Sequence, residues 1–231
     1  MKLKNKKLLI FDFDGTLIDS GPDLAEALNY MLKKLGYATF SLETIHSWVG
    51  NGAQTLVKRA LLGKTDIEDE IDETLFVEAL DIFLKYYKEN LCVKTVTYPD
   101  VKNTLTTLKN QGYKLAIVTN KPYDFIKPIL EKLELLNLFE LYIGGDSLSK
   151  KKPDPMPLLH ICNKLDFKIE DSIMVGDSKN DILAANSANM QSIGVSYGYN
   201  YDEDIGIYDP TVVIHDFKDI KNILERINYD K

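Results

Sequence analysis

From residue 100 onward the chain repeats one unit: a short apolar run, then a segment whose apolar residues recur at helical spacing. Residues 100–111 read as a helix ended by Gly112. "YKLAIVTN", "LYIGG", "SIMVGDS" and "SIGVSYG" read as strands, and "YDFIKPILEKLEL", "PMPLLHICNKL" and "DILAANSAN" as helices between them. "TVVIHDFKDIKNILERI" supplies a last strand and helix. Strands alternating with helices of this length make βαβ units and a parallel sheet. Because crossovers are right-handed, the sheet is expected to be doubly wound. Near the N-terminus, "LLIFDFDGTLIDS" offers one more buried strand, the run Leu8–Phe13. Between Pro22 and about Lys94 the pattern is helical throughout, with a break at Gly50–Gly52 and no convincing strand. The expectation is an α/β protein: a parallel-sheet core from residues 1–18 and 96–231, with an all-helical insert over 19–95.

In open parallel sheets ligands sit at the carboxyl ends of the strands, and the polar residues of this chain gather there. The first strand runs into Asp12, Asp14, Gly15 and Thr16. The strand "YKLAIVTN" ends in Thr119 and Asn120, with Lys121 next. "LYIGG" leads to the lysines 150–152, and "SIMVGDS" ends in Asp177, with Asp181 four residues later. Each motif alone has an ordinary reading as a turn, a helix cap or a solvated charge run. Their joint placement at four strand ends points to one shared site.

The chemistry of that site follows from its donors. Residues two apart on a strand project to one side, so Asp12 and Asp14 are expected to face the same cavity. Asp177 adds a third carboxylate, and three carboxylates repel one another unless a cation intervenes. Mg²⁺ suits such a set, because it takes one or two carboxylates and keeps waters for a substrate to replace. A lysine, a threonine hydroxyl and an asparagine amide opposite them match the oxygens of a phosphoryl group. A carboxylate can itself attack phosphorus and carry the phosphoryl group, while Gly15 permits a sharp turn that brings a backbone N–H near the phosphate.

The order DxDGT, Thr, Lys, GDxxxD resembles the haloacid dehalogenase superfamily of phosphotransferases. The resemblance implies a Rossmann-like core with a small helical cap inserted after the first strand. It implies Asp12 as nucleophile and metal ligand, and Asp14 as general acid/base whose backbone carbonyl also reaches the metal. Thr119 and Asn120 become phosphate-binding residues, alongside Gly15 and Thr16. Lys152, just before Pro153, fits the charge-balancing lysine, with Lys151 and Lys150 as alternatives. Asp177 fits a metal ligand, and Asp181 orients metal-bound water. "WVGNGA", "YPDV", "VTNKP", "IGGDS", "KKPDPMPLL", "VGDSKND" and "YGYN" are similar to stretches of the phosphoglycolate phosphatase branch, which also holds pyrophosphatases, nucleotidases and sugar phosphatases.

The reaction expected is Mg²⁺-dependent hydrolysis of a small phosphate monoester, foremost 2-phosphoglycolate, through an aspartyl phosphate on Asp12. A sugar phosphomutase with a longer-lived phosphoenzyme is the competing reading, and a phosphate-binding module without turnover is a third. A substrate carboxylate calls for a cation or a helix N-terminus. Arg59, one of two arginines, follows the glycines of the insert and is a candidate to read it; the alternative makes Gly50–Gly52 a hinge and Arg59 a surface residue. Composition bounds the partners. The net charge of −7 disfavours nucleic acid and anionic membranes. Asp12 cuts the N-terminal apolar run short of a signal or membrane span. Cys92 and Cys162 lack metal-ligand spacing and read as reduced thiols. A cytoplasmic monomer or homodimer acting on a small phosphorylated metabolite is the resulting expectation.

Overall fold

Leu8–Phe11 form the first strand, β1, and all four side chains are fully buried. Alternate residues of a strand point to opposite faces. Accordingly Leu9 and Phe11 join one hydrophobic cluster, while Leu8 and Ile10 join a second. A strand covered on both faces must be apolar at every position, which is why β1 reads as a continuous run. The computed structural model describes residues 3–201 and 203–224.

Five more strands extend the sheet: β4 (Lys114–Val118), β5 (Leu141–Ile143), β6 (Ser172–Gly176), β7 (Gln191–Val195) and β8 (Val212–Ile214). All pair in parallel in the order β5-β4-β1-β6-β7-β8. Phe11 lies opposite Ile117 of β4 and Val175 of β6. The chain leaves β1 toward β4 and β5, then returns to lay β6 on the other flank of β1 and continues outward to β8. The winding therefore reverses between β1 and β6, and a crevice opens beyond their carboxyl ends. Helices α5 (Val101–Asn110), α6 (Tyr123–Lys132), α7 (Met156–Lys164), α8 (Lys179–Ser187) and α9 (Ile220–Ile223) belong to this core. The helix expected at this end stops at Ile223, where Leu224 is extended and bridges Leu3, and the expected residues beyond Leu224 lie outside those described.

Four helices lie between β1 and the rest of the sheet: α1 (Gly21–Lys34), α2 (Leu42–His46), α3 (Ala53–Leu62) and α4 (Glu73–Glu89). Pro22 stands in the first turn of α1, where a missing N–H costs nothing. The Asp72 side chain caps α4 by accepting from Leu75 N at 2.9 Å. Phe76, Ala79, Phe83 and Tyr87 form the buried face of α4, spaced as one side of a helix demands. A ribbon that sequence periodicity did not reveal joins the insert to the core: β2 (Ile18–Asp19) pairs antiparallel with β3 (Val96–Thr97). The buried Asp23 carboxylate fastens its base, accepting from Lys94 N, Thr95 N and Thr95 Oγ1 at 2.8, 2.9 and 2.6 Å.

Candidate active site

β1 stops at Phe11, one residue before the first aspartate, so Asp12 and Asp14 stand on the turn after the strand rather than on it. They nonetheless line one cavity, because the chain folds back sharply at Gly15. Gly15 has φ +87°, and a Cβ there would lie 2.3 Å from Asp177 Oδ2. Only glycine permits both that backbone and that approach. The Gly15 amide donates to Ile18 O within the turn; its contribution to the site is close packing against Asp177, not the phosphate contact expected of it.

The crevice between β1 and β6 gathers the remaining acids. Asp12 follows β1, Asp177 follows β6, and Asp181 lies on the first turn of α8. One carboxylate oxygen from each lies within 4.8 Å of the others. Among the described residues Lys152 is the one cation between them: it is 1% exposed, with Nζ 2.9 Å from Asp12 Oδ1 and 2.5 Å from Asp181 Oδ1. Of the three candidate lysines it is Lys152 that enters the site, whereas Lys151 Nζ donates to Asn51 O at 2.7 Å. Three carboxylates share one ammonium, leaving two negative charges under cover. Burial, the Asp181 charge and the Asp177 charge push the Asp12 carboxyl well above the ordinary range against the pull of Lys152. Burial and Asp181 likewise raise Asp177 to about 7. Two surplus charges among hard oxygen donors fit a divalent cation of the Mg²⁺ type. Asp12 and Asp177 are the residues placed to hold it. Asp181 commits Oδ1 to Lys152 and Oδ2 to the Ser178 amide and hydroxyl, in a capping box that starts α8.

Each carboxylate is also held in orientation. Asp12 Oδ1 accepts from Phe13 N at 2.7 Å, which leaves Oδ2 without a hydrogen-bond partner among the described residues. Asp177 accepts from Thr16 Oγ1 at 2.6 Å and from Tyr199 N at 2.7 Å. Thr16 thus spends its hydroxyl on the acid cluster, and this position differs from the substrate contact expected of it. Asp14 Oδ1 accepts from Ser20 Oγ at 2.5 Å and from Lys121 Nζ at 2.8 Å. Thr119 Oγ1 accepts from Lys121 N at 3.1 Å, so its own proton remains to be donated into the cavity it lines.

Two expected substrate contacts sit elsewhere. Asn120 gives both amide protons to backbone carbonyls, Gly50 O and Lys152 O, each at 3.0 Å. It therefore fastens the insert loop to the lysine loop. Arg59 turns away from the cavity altogether. Its Nη1 donates to Trp48 O at 2.6 Å and its Nε to Thr65 O at 2.9 Å, and the guanidinium stacks on Tyr201 at 5.3 Å. Gly63, at φ +69°, ends α3 and curls the chain back so that Thr65 O reaches it. These bonds secure the fold of the insert, and no donor of Arg59 enters the cavity lining.

The cavity closes between core and insert. Asp12, Asp14, Thr119 and Lys121 form its floor, and Val49, Leu56, Phe83 and Tyr87 form its apolar roof. Its volume is about 40 Å³, which accommodates only a few heavy atoms. From sequence Lys121 is noted at its strand end but given no role, and Tyr87 is not singled out. Lys121 follows Thr119 and Asn120 at a strand end, the very position that marked the other candidates. Tyr87 continues the buried face of α4, and a tyrosine on such a face requires a partner for its hydroxyl.

The family model described as haloacid dehalogenase-like hydrolase matches residues 9–195. Phosphoglycolate phosphatase of Colwellia psychrerythraea is 53% identical over 98% of this chain and 100% of that protein. The phosphoglycolate phosphatase of Psychrobacter arcticus is 49% identical over 95% of this chain and 96% of its own. A crystal structure described as a predicted phosphoglycolate phosphatase from Haemophilus somnus superposes with a TM-score of 0.89 at 42% identity. It covers 95% of this chain and 98% of that one.

Proposed function

The chain belongs to the haloacid dehalogenase-like hydrolases, and on that premise we propose that it is a Mg²⁺-dependent phosphatase of 2-phosphoglycolate working through an aspartyl phosphate on Asp12. The observation that carries the reading is the buried cluster of Asp12, Asp177 and Asp181 around a single lysine, in a chain whose similar relatives are phosphoglycolate phosphatases. The free carboxylate oxygen of Asp12 attacks phosphorus as the bond to the alkoxide breaks. Asp14, its Oδ1 held by Lys121 and Ser20, delivers a proton from its other carboxyl oxygen to that alkoxide and releases glycolate. Asp14 then takes a proton from water as the water oxygen bonds to phosphorus and the Asp12–phosphorus bond breaks, releasing phosphate. Lys152 and the Thr119 hydroxyl offset negative charge on the equatorial oxygens. Asp12, Asp177 and the Asp14 carbonyl would hold Mg²⁺, with Asp181 behind them, and the bound ion would add to the neutralisation of the phosphoryl charge.

The small cavity between core and insert favours a substrate with a short tail. Two buried free thiols, Cys92 and Cys162, support a reducing compartment such as the cytoplasm. The test is a panel of 2-phosphoglycolate, pyrophosphate, nucleoside monophosphates and hexose phosphates, with Mg²⁺ or with EDTA. 2-Phosphoglycolate is expected to lead in kcat/KM by about tenfold or more, and EDTA to abolish turnover. Equal turnover of a nucleotide, or full activity in EDTA, contradicts the proposal.

A further inference from the structure

The insert closes over the core through one buried cation that the reaction above does not use. Lys121 Nζ, 3% exposed at its side chain, lies 2.8 Å from Asp14 Oδ1 and 2.8 Å from the Tyr87 hydroxyl, and 4.9 Å from the centre of the Tyr87 ring. An ammonium carries three donors, and two are spent. Tyr87 accepts from Lys121, so its own O–H has no acceptor among the described residues. Burial pushes the Tyr87 phenol up to about 12, which keeps that proton in place.

Two unspent donors, one cationic and one neutral, thus meet at one point of the cavity wall. The side chains of the roof around them, Leu24, Phe83 and Phe125, offer no hydrogen-bonding group, and among the described residues Lys121 is the one cationic residue lining this cavity. A phosphate already has Lys152 and Thr119. For a second anionic group on the same small substrate this pair supplies the side-chain donors that the phosphate leaves unused, and two donors side by side match the two oxygens of a carboxylate.

We propose that Lys121 and Tyr87 bind the substrate's carboxylate and so select phosphorylated short-chain acids over other phosphate monoesters. The inference rests on the phosphoglycolate reading and replaces Arg59 in it. Because Lys121 belongs to the core and Tyr87 to the insert, the pair is complete only with the insert closed. A substrate carboxylate therefore favours the closed arrangement.

The test compares kcat/KM for 2-phosphoglycolate with that for ethyl phosphate, which replaces the carboxylate by a methyl group, in wild type, Tyr87→Phe and Lys121→Met. Wild type is expected to prefer 2-phosphoglycolate strongly, since a site that pairs its polar groups with a substrate rejects the analogue lacking them. Each variant is expected to cut that preference about tenfold or more, in line with loss of a buried charge-assisted bond. Tyr87→Phe removes a single oxygen and keeps the ring packing, so thermal unfolding close to wild type is expected to accompany its loss of preference. Parallel loss on both substrates, with the preference unchanged, overturns the inference and leaves the pair a support for Asp14. Absence of preference in wild type contradicts the phosphoglycolate reading itself, and that result is read before any substitution is made.

Discussion

Burial and the Asp181 charge raise the Asp177 carboxyl from its ordinary 3.8 to about 7, and Asp12 moves in the same direction for the same reasons. A carboxyl whose folded value lies above its unfolded value binds its proton more tightly in the folded state. Its contribution to stability is complete below about pH 4 and is lost as pH rises through about 7. The metal-free protein consequently carries its greatest electrostatic burden at this site in mild alkali. A divalent cation relieves that burden, whereas below about pH 6 it must first displace protons. Saturating Mg²⁺ is expected to raise the unfolding temperature more at pH 8 than at pH 6, each measured against an EDTA control. An equal or larger gain at pH 6 contradicts this account. The Phe13 amide and Lys152 hold Asp12, Thr16 and the Tyr199 amide hold Asp177, and Ser178 and Lys152 hold Asp181, which explains why the three acids remain ordered despite their repulsion.

The parallel strands were legible because burial on both faces requires unbroken apolar runs, and the strand-end rule then pointed to Asp12, Asp14, Thr119, the lysines 150–152 and Asp177, while the choice of Lys152 among the three came from the family resemblance. The ribbon β2–β3 escaped because two residues per strand have no period to read. Arg59 misled because sequence cannot show that two backbone carbonyls, Trp48 and Thr65, would take its donors. Asn120 misled in the same way: an amide beside a phosphate site was available for phosphate, and the loop carbonyls claimed it. That loop carries a requirement of its own. Gly52 has φ +85°, and a Cβ there would lie 2.7 Å from Asn120 O. Gly52→Ala is expected to strain the closed junction by about 1–3 kcal/mol, seen as a rise in KM for 2-phosphoglycolate with the unfolding temperature lowered by only a few degrees. An unchanged KM separates the loop from substrate binding.

Across the whole molecule, core and insert divide the work. The switch point between β1 and β6 brings together acids separated by more than 160 residues of chain, as the Thr16–Asp177 bond shows. The ribbon fastened by Asp23 returns the chain to the core, and the helices between its strands roof the crevice. On the proposed reading, phosphorus chemistry belongs to the sheet and substrate choice to the junction. Everything in this division depends on Asp12 being the atom source that bonds to phosphorus. Rapid acid quench during turnover of 2-phosphoglycolate, followed by peptide mass spectrometry, tests it directly. The account predicts a phosphoryl group on Asp12 in the presence of Mg²⁺, lost in EDTA and in Asp12→Asn. Turnover that proceeds with the phosphoryl group on another residue, or undiminished in Asp12→Asn, contradicts it.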